Sequence, residues 1–284
     1  MKLISVFFKF IVFILSVFSL NGSYGNIFQV RSLRELEKDL VQVDDSTLIV
    51  FDVDEVLITT EDHAFHQYAN EALGKYVQKL AGMSTSNHKQ EELEKVMSLA
   101  LVSPKRVLIE EVAPAFIRDL QQKGAKAIAL TSFPTGKFGL IPSVESWRVE
   151  HLQSLDIDFS KAFPEVRYDT FTDMALAGKK PPVYKNGVLF SKGYTKGEVL
   201  STFFKKNNFY PKKVIFIDDL RENLENVKEE LYKLGIEFVG VQYLGADSYF
   251  KEVNEQILHY QFTHLLQNKE WLSDAEVSQK LAKF

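Results

Sequence analysis

Two apolar runs that each end in a pair of acids constrain this chain more than any other feature. Leu48-Ile49-Val50-Phe51 leads into Asp52-Val53-Asp54, and Val214-Ile215-Phe216-Ile217 leads into Asp218-Asp219. Continuous β-branched and aromatic runs of this length are the signature of parallel strands buried on both faces. An isolated Asp-x-Asp reads as an Asx turn at a strand end. Two such endings in one chain point instead to the crevice beyond the carboxyl ends of an open α/β sheet, where ligands bind. Paired carboxylates there can hold Mg²⁺ or attack phosphorus.

A third run, Ala127-Ile128-Ala129-Leu130, ends in Thr131-Ser132, and either hydroxyl can serve as a donor at that strand end. Thr195-Lys196-Gly197-Glu198 fits a capping box and puts Lys196 in the first turn of a helix. Lys196 taken alone reads as a solvated lysine; its order between the other signals gives it weight. Strands and helices alternate through the core: helix from Pro114 to Lys123, strand 127–130, helix about 143–155, helix 196–206, strand 213–217, helix 221–234 and strand 237–242. That alternation predicts a doubly wound parallel sheet, Rossmann-like in class. Asn186-Gly187 between apolar residues predicts a hairpin over 184–190.

The order of these signals resembles the haloacid dehalogenase-like (HAD) superfamily of phosphotransferases over about residues 47–243. Asp52-Val53-Asp54 is similar to its first motif, Thr131 to its second, Lys196 to its third, and Asp218-Asp219 with Asn223 to its fourth. Val56 departs from the pattern, since many members place Thr after the second acid. The resemblance implies Asp52 as nucleophile, Asp54 as acid and base, Thr131 with Ser132 and Lys196 on the phosphoryl group, and Mg²⁺ as cofactor. It also implies Asp52, the carbonyl of Asp54 and Asp219 as metal ligands, with Asp218 and Asn223 alongside. The substrate would be a small phosphomonoester, and the nearest likeness is to exported bacterial HAD-like proteins.

Residues 1–25 carry Lys2 and Lys9, an apolar stretch from Phe10 to Leu20 and small residues before Gly25, the layout of a secretory signal peptide. The stretch is too short for the ~20 residues of a spanning helix, so any membrane contact would come through this segment left uncleaved. The expected location is exported, periplasmic or secreted. Without cysteine, disulfides and thiol chemistry are excluded. The formal charge of −4 becomes −6 once Lys2 and Lys9 are gone, which argues against nucleic acid as a partner.

Residues 26–284 then form one HAD-like domain. It carries a helical cap inserted at about 60–105 and a helical tail at about 248–284, with Ile257, Tyr260, Leu265 and Leu266 on the tail's apolar side. Ser32 to Glu35 fits another capping box and predicts a short amphipathic helix covering a sheet edge. His63 and His66 have helical spacing without a third ligand nearby, and Trp147 with Arg148, which follow the second motif and are placed to approach the substrate, reads first as a packed ring beside a surface arginine. The rival readings are an exported binding protein that keeps the fold without turnover and a membrane-tethered lipid-phosphate enzyme.

Overall fold

A computed structural model of the chain describes residues 26–38, 40, 43–66, 89–249 and 253–283. The expected signal segment, and residues 67–88 of the expected insertion with Tyr68, Ala72 and Tyr76, lie outside the described residues.

Three central strands, β2 (Thr47–Phe51), β5 (Lys126–Thr131) and β9 (Lys213–Asp218), sort their side chains by the two-residue period of a strand. Leu48, Val50, Ile128, Leu130, Val214 and Phe216 enter one apolar layer. Ile49, Phe51, Ala127, Ala129, Ile215 and Ile217 enter the opposite one. The first layer is closed by Val199, Leu200 and Phe203 of one helix, Lys196–Lys206, and by Leu224, Val227 and Leu231 of another, Arg221–Lys233. The second is closed by Ile117 and Leu120 of Ala113–Gln122 and by Val149 and Leu152 of Val144–Ser154. Each large side chain fully buried this way contributes about 1.5–3 kcal/mol, so burial on both faces accounts for the unbroken apolar runs. The result is a three-layer α/β/α fold.

The remaining strands are β1 (Asn26–Val30), β3 (Ile58–Thr60), β4 (Arg106–Leu108), β6 (Tyr168–Thr170), β7 (Val183–Lys185), β8 (Val188–Phe190) and β10 (Glu237–Tyr243). The main sheet runs β1-β10-β9-β2-β5-β8-β7-β6. It is parallel from β1 to β8 and antiparallel for the last two pairings. The β7–β8 hairpin turns at Asn186 and Gly187 with φ of 45° and 87°, as the Asn-Gly pair predicts. The edge beside β10 is covered by the strand β1 and not by a helix; residues Leu33–Leu36 form a single 3-10 turn that buries Leu33 and Leu36 in the second layer.

In chain order the α-helices among the described residues are α1 (Lys89–Val102), α2 (Ala113–Gln122), α3 (Val144–Ser154), α4 (Lys196–Lys206), α5 (Arg221–Lys233), α6 (Glu255–Asn268) and α7 (Asp274–Leu281). β3 and β4 pair antiparallel as a stem from which the insertion leaves and to which it returns. Val96 and Ala100 of α1 share an apolar cluster with Ala64 and with Leu258, Phe262 and Leu265 of α6. The insertion and the tail therefore have one core between them. The buried side of α6 is turned from the expected one, being formed by Leu258, Phe262 and Leu265, with Ile257 and Tyr260 only half-buried. His63 bonds Asp274, and Asp62 accepts from the Asp274 amide and the Trp271 indole, both at 2.8 Å, so these side chains tie the tail to the insertion.

α4 reaches its place because Gly197 has no side chain. A Cβ there would stand 2.8 Å from Asn226 oxygens on α5, and the Gly197 amide donates to Asn226 Oδ1 at 2.9 Å. We expect Gly197→Ala to cost about 1–3 kcal/mol through overpacking, read as a lowered denaturation midpoint. An unchanged midpoint would show that α4 and α5 can part without penalty.

Candidate active site

Register and strand parity bring the acids together. Phe51 of β2 pairs with Ile217 of β9, and the Asp52 amide donates to the Ile217 carbonyl at 2.9 Å, so Asp52 and Asp218 are neighbours at adjacent strand ends. Both carry the parity of the layer that α4 closes. The first turn of α4 presents Lys196 to them. Its Nζ lies 2.7 Å from Asp52 Oδ2 and 2.6 Å from Asp218 Oδ2, and the lysine is buried to 2% exposure. Thr195 caps this helix, accepting from the Glu198 amide while Glu198 bonds back, so the lysine's start point is fixed.

Burial works against the Lys196 charge, but Asp218 and Asp52 together hold its pKa above the ordinary lysine value. Burial holds the Asp52 carboxyl well above the aspartate range even against the pull of Lys196, and Asp218 and Asp219 add to the rise. Asp219 is pushed up to about 7 by burial, with the Asp218 charge next in size. Oxygens of Asp52, Asp218 and Asp219 all come within 4.8 Å of one another. An all-oxygen donor set with surplus negative charge fits a hard divalent cation such as Mg²⁺.

The three acids are not equivalent. Asp218 is fully buried, and its carboxylate accepts from Lys196, from the Leu220 amide at 2.9 Å and from Asn223 Nδ2 at 2.9 and 3.2 Å. Its lone pairs are largely committed, so it orients Lys196 and Asn223. Asn223 meets the site through Asp218. Asp219, half-buried, is the freer oxygen donor. Thr131 ends β5, buried to 2%, with exposed Ser132 after it.

Asp54 turns to other partners. Arg148 Nη2 donates to its two carboxylate oxygens at 3.0 and 3.2 Å. Contrary to the surface arginine expected from sequence, Arg148 is fully buried, with its guanidinium 4.1 Å from the Phe133 ring centre. Trp147 is half-buried and stacks between Phe133 and His151. His63 and His66 serve structure, through Asp274 and the Thr60 carbonyl respectively.

Sequence reasoning passed over Glu55. It has a left-handed φ of 62°, a conformation unusual for a residue with a side chain, and is 8% exposed. Burial pushes its carboxyl up to about 7, and its Oε2 has no hydrogen-bond partner among the described residues. Its place next to Asp54 is the one sequence signal for it.

The family model described as "Protein of unknown function (DUF2608)" matches residues 29–278, and the chain belongs to that family. A Rickettsia bellii relative, called an uncharacterized protein, is 26% identical over 270 residues, covering 92% of both chains. A Chlamydia pneumoniae relative, provisionally named an outer membrane protein, is 23% identical over 237 residues, covering 82% of this chain and 83% of its own. Among solved structures, a haloacid dehalogenase-like family hydrolase from Streptococcus pneumoniae aligns with a TM-score of 0.34 and 12% identity, over 72% of this chain and 98% of its own. Among the described residues no helix is long and apolar enough to cross a membrane.

The raised carboxyls set a pH dependence. A folded-state pKa for Asp219 of about 7, against an ordinary 3.8, means that its contribution to stability falls as pH rises through that window. A bound cation must displace the same proton. We therefore expect Mg²⁺ affinity to weaken by up to about tenfold per pH unit below about 7, with proton release on binding, measured by calorimetry in buffers of different ionisation heat. Affinity independent of pH across that range would contradict a raised Asp219 carboxyl among the cation's ligands.

Proposed function

We propose that this DUF2608 member is a Mg²⁺-dependent phosphomonoesterase of the HAD type that works through an aspartyl phosphate. The observation that carries the reading is Lys196 held between Asp52 and Asp218 at adjacent strand ends, with Asp219 beside them. A buried carboxylate neutralised on one side and open to the crevice on the other suits nucleophilic attack on phosphorus.

Asp52 attacks the phosphoryl group, the bond from phosphorus to the ester oxygen breaks, and the carboxylate carries the phosphoryl group until water displaces it. Its Oδ1 accepts from the Val53 amide at 2.7 Å and its Oδ2 from Lys196, which fixes the direction of approach. Asp54 gives a proton to the leaving oxygen and takes one from the attacking water. The Arg148 fork holds it at the crevice wall with 43% of its side chain exposed. Thr131 and Ser132 donate to phosphoryl oxygens, and Lys196 offsets charge on both nucleophile and phosphate. Asp52, the Asp54 carbonyl and Asp219 would hold Mg²⁺, with Asp218 and Asn223 behind them; the ion supplies the positive charge that lets phosphate approach these acids. The insertion on its β3–β4 stem would act as the cap that selects substrates.

The layout of residues 1–25 and the naming of the chlamydial relative for the outer membrane support an exported location. A second reading, an exported binding protein without turnover, draws on the commitment of the Asp54 carboxylate to Arg148.

Asp52→Asn is expected to fold and to lose turnover of an aryl phosphate by at least about 10³-fold, since an amide cannot form the acyl phosphate. Steady-state kinetics with Mg²⁺ decide it, and near wild-type activity in a folded Asp52→Asn protein would remove the nucleophile assignment. Asp219→Ala is expected to lose activity that excess Mg²⁺ partly restores. Asp218→Ala should not recover with metal, because its loss frees Lys196 and Asn223. Equal recovery of both variants would contradict the division of roles.

A further inference from the structure

Beside Asp54 the site is basic, and its charge is not balanced. Arg148 uses Nη2 on Asp54, while its Nε and Nη1 are buried without a hydrogen-bond partner among the described residues. Arg106, on the stem strand β4, makes one long bond, from Nη1 to the Pro104 carbonyl at 3.4 Å, and forms no ion pair among the described residues. Both guanidiniums stand over the Trp147 ring, 5.1 and 5.2 Å from its centre. His151, stacked on the same ring, has a buried Nδ1 with no hydrogen-bond partner among the described residues.

Arg148 thus pairs with the half-exposed Asp54 carboxylate, while Arg106 makes no ion pair with it among the described residues. A buried guanidinium costs several kcal/mol unless paired, and a pair serving structure alone would complete its bonds on carbonyls or carboxylates. The neighbours register the excess charge. Burial pushes Arg106 down to about 10, with Arg148 the next cause, and burial pushes His151 down to about 4, with Arg148 and then Arg106 adding to it. His151 is therefore neutral at pH 7 and adds no further cation.

We propose that Arg106 and Arg148, backed by Trp147, form a subsite for a second anionic group of the substrate, so that the preferred esters carry a carboxylate or a further phosphate close to the phosphoryl group. The inference rests on the phosphomonoesterase reading for the phosphoryl half of the site. Asp54 is two residues from Asp52, which places the two anions of such an ester a few bonds apart. Planar forks match carboxylate and phosphate oxygens two at a time, an edge the half-buried Arg106 guanidinium can present while the buried Arg148 behind it adds positive charge. Because Arg106 stands on the stem of the insertion, an anion bound there also ties the stem to the helix carrying Arg148.

The test uses matched pairs bound to the Asp52→Asn protein with Mg²⁺, where affinity is read without turnover. 2-Phosphoglycerate differs from glycerol 2-phosphate by a carboxylate, and propanediol bisphosphate differs from propanediol monophosphate by a phosphate. Calorimetry is expected to show the member with the second anion binding at least about tenfold tighter, the pair with the larger ratio identifying which anion the subsite prefers. Adding Arg106→Met should bring the ratio close to one, and Arg106→Lys should restore part of it; Arg106 is varied first because Arg148 is fully buried. Equal affinities within both pairs, a preference that survives Arg106→Met, or no binding of any of the four esters would overturn the subsite. A preference lost with Arg106→Met, in a wild-type protein that turns over none of the esters, would keep the subsite and reject the phosphatase.

Discussion

The Lys196 ammonium between the Asp52 and Asp218 carboxylates is the interaction on which the site depends. Three charges taken out of water repay their desolvation only with short contacts and filled hydrogen bonds, and the distances of 2.6 and 2.7 Å meet that condition. Each part of the fold nearby serves it. The β2–β9 register sets the two acids side by side, strand parity turns them toward α4, the Thr195 cap fixes where α4 begins, and Gly197 lets that helix lie against α5. Asn223 and the Leu220 amide take the remaining lone pairs of Asp218, leaving Asp52 and Asp219 as the acids that face the crevice with capacity to spare.

The crevice is consequently polarised. One side carries Asp52, Asp218 and Asp219 around a single lysine, which leaves negative charge for a cation to balance. The other carries Arg106 and Arg148 around Asp54, which leaves positive charge for an anion. A small phosphoester with a second acidic group would satisfy both sides at once, and the same polarity would discriminate against neutral esters.

The central strands and the hairpin were legible because burial on both faces leaves long apolar runs and because Asn186-Gly187 supports left-handed backbone at both positions. The acids and Lys196 were legible through their position at the ends of those runs. Arg148 was not, since on α3 it shares its buried side with Val144, Glu145, Val149 and Leu152, and a charged residue within an apolar stripe reads as a surface position. Glu145 is buried there because it accepts from the Gly136 amide at 2.7 Å in the loop after β5, a partner outside its own helix that no periodicity announces. β1 was missed because it pairs with β10, more than two hundred residues away, and Arg106 because the β3–β4 stem brings it to Trp147 from across the insertion. The common core of α1 and α6 has the same origin in distant contacts.

If Asp52 carries the phosphoryl group during turnover, chemical trapping will find it there. Wild-type protein mixed with a phosphomonoester and Mg²⁺, quenched in acid during turnover and treated with borohydride, should yield homoserine at position 52, detected by peptide mass spectrometry, with no such conversion at Asp54, Asp218 or Asp219. Sustained phosphate release with position 52 unmodified at every quench time, or conversion at another of these acids, would contradict the account.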